Sequence, residues 1–157
     1  MKAIYKPTPL ESWVSQRYKR MGIYNPSDLD EKRICDALGI FFKRIEKSSH
    51  SIEQGAFKLI AVNSLLTVAE QREQFYHELA HILRHSGRQS MMTSAFRELQ
   101  EWDASHFTRY AAIPFHMLHQ FDLNDQNIVK NLAEQFQCTP NLCHERLEKI
   151  YNNSKVV

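Results

Sequence analysis

Apolar residues recur at three- and four-residue intervals at Leu10, Trp13, Val14, Tyr18 and Met21, which predicts an amphipathic helix ended by Gly22. Asn25-Pro26-Ser27 breaks that pattern. A second helix is expected from Ser27 or Asp28, through Leu29, Ile34 and Leu38, to Gly39. The period then changes. Residues 40–45 and 56–63 are rich in β-formers and flank a polar turn at Ser48-Ser49-His50, so they predict a small antiparallel sheet with His50 on the surface. From Thr67 to Glu70 onward the helical period returns and is expected to run to Gly87, just past Arg84 and His85. Residues 88–94 read as a loop. A further helix follows from about Ala95 to Ala112, with Phe96, Leu99, Phe107 and Tyr110 on one broad face and Pro114 ending it. Residues 115–121 show no period.

Residues 123–151 read as two short helices, one through Ile128, Leu132 and Phe136 and one through Leu142, Leu147 and Ile150, joined near Cys138-Thr139-Pro140. The chain thus divides, on pattern alone, into a main domain over 1–122 and a small helical region over 123–157. The second part has the outline of a helix-turn-helix. Its last helix carries Glu145 and Glu148 beside Arg146 and Lys149, a mixture that favours packing over direct nucleic-acid binding.

Composition narrows this further. At 157 residues and 43% hydrophobic content the chain can bury one real core, and its formal charge of +2 is too small to define a nucleic-acid surface. Cys35, Cys138 and Cys143 are odd in number and lack Cys-x-x-Cys spacing, so they read as the reduced thiols of a cytoplasmic protein. No apolar run has the length of a signal peptide or a membrane span.

Candidate chemistry sits in the long central helix, as His77-Glu78-Leu79-Ala80-His81. Residues four apart on a helix lie about 40° apart around the axis and about 6 Å apart along it, so both imidazoles can reach one cation. That is the spacing of a zinc site with Glu78 placed as general base. With His77 at zero, His81, His85 and Glu78 fall at about 40°, 80° and 100°, while Phe75, Leu79, Ile82 and Leu83 fall between about 140° and 240°. One face is core and the other carries the chemistry. His85 lies about 12 Å along the axis from His77, too far to share its ion, and is expected to line the cleft or cap the helix.

A catalytic zinc site takes three protein ligands. Glu101, on the following helix and with Ala104 close by, is the best candidate for the third; Glu98 is weaker, and Asp103 points about 200° away from Glu101. The stretch from Glu101 through Ala104, Ser105 and Phe107 to Pro114 resembles the Glu-x-x-Ala-[Asn/Ser]-x-Phe-Ala-x-x-Leu-Leu-x-Pro segment of the ImmA/IrrE metallopeptidases, which follows a His-Glu-Leu-Gly-His helix in that family. The order of elements is also similar over roughly residues 10–150. Ala80 replaces the family's glycine, Thr108 its alanine, and Ala111 and Ala112 its paired leucines. No ligand position is lost.

The resemblance implies an α+β, mainly helical, zincin-like metallopeptidase with a small antiparallel sheet and a C-terminal helical region. His77, His81 and Glu101 would hold Zn²⁺ and Glu78 would be the catalytic base, with His106, Tyr110 or His85 as candidates to stabilise the oxyanion. It further implies a protein substrate, a helix-turn-helix transcriptional repressor of a phage or mobile element. Two other readings are a non-hydrolytic antirepressor using the same cleft and a small DNA-binding regulator.

Overall fold

The computed structural model describes residues 3–85 and 93–156. Its elements are β1 (Ala3–Tyr5), α1 (Pro9–Arg20), a 3₁₀ turn (Pro26–Asp28), α2 (Glu31–Leu38), β2 (Phe41–Ile45), β3 (His50–Gln54), β4 (Phe57–Asn63), α3 (Val68–Arg84), α4 (Ser94–Ala112), a 3₁₀ helix (Phe115–Gln120), α5 (Ile128–Phe136), α6 (Pro140–Asn153) and β5 (Ser154–Val156). They form two compact units, one of Asp30–Thr108 and one of Met1–Leu29 with Arg109–Val157. The composition is that of an α+β, mainly helical, zincin-like fold.

In the Asp30–Thr108 unit, α2 begins later than the pattern suggests. Pro26–Asp28 closes a 3₁₀ turn in which the Asp28 carboxylate accepts from the Tyr24 and Asn25 amides, and Asp30 then caps α2 by accepting from Arg33. Leu29 is therefore a buried link between two turns, not a helical residue.

The sheet is mixed, with order β2-β4-β3, and is not the expected antiparallel pair. β3 pairs antiparallel with β4, from His50↔Ala61 to Gln54↔Phe57, while β2 runs parallel to β4, from Phe41↔Leu59 to Ile45↔Asn63. The physical reason is an unforeseen strand. His50–Gln54 is polar except for Ile52 and sits at a sheet edge, so it shows no hydrophobic signature; it adds one reversal of direction and brings β2 and β4 side by side in parallel. Gly55, at φ +58, supplies the left-handed residue of the β3–β4 reversal. β4 is the central strand, and its Ile60, Ala61 and Val62 are fully buried.

α3 starts where the sequence placed it. The Thr67 hydroxyl accepts from the Glu70 amide, and the Glu70 carboxylate accepts from the Thr67 amide. Phe75, Leu79 and Ile82 face the core, joined by Tyr76 and Ala80. The Phe75 ring meets Phe42 of β2 edge-on at 5.7 Å. Gln71 accepts from Arg44 at 2.9 Å and donates to the Leu66 carbonyl at 2.9 Å, which ties the start of α3 to β2. α3 ends at Arg84, because His85 has extended backbone; Gly87, the expected stop, and most of the expected loop lie outside the described residues. On α4 the expected common face divides: Phe107 and Tyr110 are buried, whereas Phe96 and Leu99 are exposed.

In the other unit, Thr8 and Glu11 form the capping box of α1, and Thr139 caps α6 ahead of Pro140. The predicted apolar faces of α5 and α6 are buried. So is Arg146, fully. It donates to Glu11 at 2.7 Å and to the Ile113 carbonyl at 2.9 Å, and its guanidinium lies over the Tyr110 ring. β1 and β5 pair antiparallel, a contact between two short segments that carry no periodic signal. All three cysteines are buried, and the sulfurs of Cys138 and Cys143 lie 3.4 Å apart without a disulfide.

Candidate metal centre

α3 and α4 bring together the residues that the sequence singled out. His77 and His81 sit one turn apart on α3, and the Glu101 carboxylate of α4 spans them, with Oε2 2.8 Å from His77 Nε2 and Oε1 3.1 Å from His81 Nε2. The two Nε2 atoms are 3.3 Å apart. One ligand atom from each residue falls within 4.8 Å of the other two, a group that can hold a metal ion. Glu98, the weaker candidate, is exposed and outside this group. His81 is held below the ordinary histidine value, chiefly by burial and against the pull of the Glu101 carboxylate. Neutral imidazole is the form that ligates a metal.

Glu78 lies beside the group with its Oε2 buried and without a hydrogen-bond partner among the described residues. Burial, with a smaller contribution from the Glu101 charge, raises its carboxyl to about 7. A bound cation would act in the opposite direction. His77, Glu78, His81 and Glu101 line a cavity of about 700 Å³ that is walled on one side by the five residues of β3.

Other residues are distributed differently from expectation. His85 is at once the C-cap of α3 and part of the cavity lining, the two roles left open for it. Its Nδ1 is 3.1 Å from His81 Nδ1 and its Nε2 is 2.9 Å from Asp103 Oδ2. Of the three oxyanion candidates, His85 alone lines this cavity, and both of its ring nitrogens are engaged. His106 stacks on Trp102 at 4.0 Å and bonds the Trp102 carbonyl, while Tyr110 packs under Arg146. Sequence reasoning set Asp103 aside as a ligand, placed His50 on the surface, where it is exposed, without assigning it to the cavity, and passed over Gln100. The first turns away from Glu101 and meets Arg84 and His85; the other two line the cavity. A histidine at i+4 from His81 was the one available signal for the Asp103 contact.

Two histidines of one helix and a carboxylate of the next thus form, on a mixed α+β scaffold, a group that could hold a metal ion, with the buried Oε2 of Glu78 beside it. The chain belongs to the peptidase M78 family: the profile described as an IrrE N-terminal-like domain matches residues 35–148, in agreement with the resemblance to ImmA/IrrE proteins. It is similar to the phage-like element PBSX protein XkdA of Bacillus subtilis (strain 168), with 32% identity over 141 residues covering 88% of this chain and 71% of that one. It is also similar to the uncharacterized protein YqaB of the same strain, with 28% identity over 149 residues covering 94% and 87% of the two chains. No solved structure matches it. No helix among the described residues is long and apolar enough to cross a membrane.

Proposed function

We propose that this protein is a zinc-dependent endopeptidase that cleaves a specific regulatory protein, a helix-turn-helix repressor of a phage or mobile element, in the cytoplasm. The observation that carries the peptidase reading is the buried Glu78 oxygen, without a partner among the described residues, beside three convergent ligand atoms. A purely structural metal site has no use for such a group. The donor set fits zinc. Bonds of about 2.0–2.1 Å in a tetrahedron put neighbouring ligand atoms about 3.3 Å apart; the two Nε2 atoms are 3.3 Å apart, and each faces one oxygen of Glu101, at 2.8 Å for His77 and 3.1 Å for His81. When bound, the ion supplies Lewis acidity toward a carbonyl and a water.

The chain's own residues do the rest. Glu78 takes a proton from the water that attacks the scissile carbonyl and returns it to the departing amine, work suited to a carboxyl whose affinity for protons has been raised by burial. β3 pairs only with β4 among the described residues, so its other edge, along the cavity, can hold an extended substrate segment by main-chain hydrogen bonds. The similarity to a protein of a phage-like element supports a substrate from the same genetic setting. Against the DNA-binding alternative stands Arg146, one of the few cations of the C-terminal helices, which is spent on a buried ion pair.

Co-expression with the repressor encoded nearby, followed by intact-mass analysis, tests the reading. Two repressor fragments are expected with the wild-type protein and none with Glu78→Gln. Full-length repressor that is nevertheless inactivated by both proteins would favour the non-hydrolytic antirepressor. A repressor left full length and active under inducing conditions would refute the proposed substrate.

A further inference from the structure

The end of α3 holds a second cluster that the peptide chemistry leaves unused. His85 leaves the helix with φ −123 and ψ 119, and this places its ring between His81 and Asp103. The ring centroids of His81 and His85 are 5.1 Å apart. Asp103 is gripped in turn by Arg84, whose Nε donates to Oδ2 at 2.8 Å and whose Nη2 donates to Oδ1 at 3.1 Å. The His85 side chain is only 10% exposed and that of His81 16%, so water competes poorly for these bonds.

Proton counting gives this chain of contacts one direction. His81 points Nε2 at His77 and Glu101, and ligation through that atom requires a bare lone pair there. The single proton of its neutral ring must then sit on Nδ1, where it is donated to His85 Nδ1. That nitrogen is consequently an acceptor, so the proton of the neutral His85 ring sits on Nε2 and is donated to Asp103. The carboxylate at the end is fixed by the Arg84 fork. Every polar atom in the line has one role.

We infer that His85 and Asp103 are positioning residues for the metal centre: an Asp103–His85 relay, anchored by Arg84, sets the tautomer and ring orientation of His81 and so its strength as a ligand. The inference rests on the zinc reading above. The bland alternative is that Asp103 merely ties α4 to the end of α3, in which case any residue that packs at 85 would serve.

The two are separated by comparing His85→Leu, which fills the space without an acceptor, with His85→Asn, whose carbonyl can stand in for Nδ1. Full-length proteins are titrated with Zn²⁺ against a chromophoric chelator. Loss of such an outer hydrogen bond weakens metal binding roughly 10–100-fold; that loss is expected for His85→Leu and for Asp103→Leu, with His85→Asn restored to within a few-fold of wild type. Long-range ¹H–¹⁵N spectra of the zinc-loaded wild-type protein should place the ring proton of His81 on Nδ1 and that of His85 on Nε2. Wild-type affinity in His85→Leu, or equal weakening by Leu and Asn, overturns the relay. So does a His81 proton found on Nε2. Failure of the zinc reading looks different: the folded wild-type protein then binds no zinc, and the relay falls with it.

Discussion

Glu11 on α1 is fully buried with each oxygen bonded, whereas Glu78 on α3 lines a cavity and buries one oxygen, Oε2, that meets no donor among the described residues. Glu11 accepts from Arg146, from the Thr8 amide and from the Tyr5 hydroxyl, and so closes the capping box of α1 and pairs a buried cation in the same stroke. Glu78 stands in a cavity that His77, His81 and Glu101 also line. Satisfied buried polar groups hold a fold together, whereas a buried group left without a partner is costly and persists where its reactivity is used. The Glu11 carboxylate is satisfied and serves the architecture, whereas Nη1 of its partner Arg146 has no bond among the described residues; what sets the Glu78 oxygen apart is its place beside three groups that could hold a metal ion, where the proposed function puts the chemistry.

That contrast can be broken experimentally, and the largest effect should come from the ligands. Glu101→Ala or His81→Ala should abolish stoichiometric zinc in metal analysis of the purified protein, while Glu98→Ala keeps one ion per chain. Retention of zinc by both ligand variants would undo the assignment. Glu78→Gln should come next, lowering repressor cleavage about 10²–10⁴-fold with zinc retained, as expected for loss of a positioned acid–base group. Near wild-type cleavage by that variant would remove Glu78 from the chemistry.

Arg146→Met should do the reverse, leaving zinc in place but destabilising the protein by about 3–5 kcal/mol, because it strands Glu11 in a buried site. A denaturant melt measures this, and the double variant with Glu11→Met should recover part of the loss. Unchanged stability in the single variant would mean that the pair is not structural.

The smallest effect concerns pH. His116 is held below 6.5, mainly by burial and further by Lys19 and His119, against the opposing bond to the Ile23 carbonyl. As pH falls through 6.5 the unfolded chain takes up the proton first, so the stability that His116 contributes is present above that value and is lost on acidification toward its folded value. The slope of stability against pH in this window should flatten in His116→Gln. An unchanged slope would exclude His116 as its source.

Much of this was legible in the chain because it is local. The 3.6-residue period, the Thr67–Glu70 box and the four-residue step from His77 to His81 are properties of a single helix, and a helix carries them wherever it packs. β3 was not legible, since an edge strand made of His, Ser, Glu and Gln owes its conformation to β4 and not to its own hydrophobicity. Nor could Arg146 be told from a surface cation. Its partner Glu11 lies 135 residues away, and burial of the two is decided only when α1 and α6 meet.

The sequence by itself therefore determined where most helices lie, the apolar faces of α5 and α6, the four-residue spacing of His77 and His81 and the candidate third ligand, but not the start of α2 or the buried face of α4. Tertiary structure alone decided that the Glu101 carboxylate closes onto both histidines, that the Oε2 of Glu78 is buried without a partner among the described residues, and that His85 turns out of α3 to meet Asp103. The physical reason is range. Periodicity and capping act over one or two helical turns, whereas convergence of side chains from α3 and α4, and the desolvation that follows, depend on how separate elements pack.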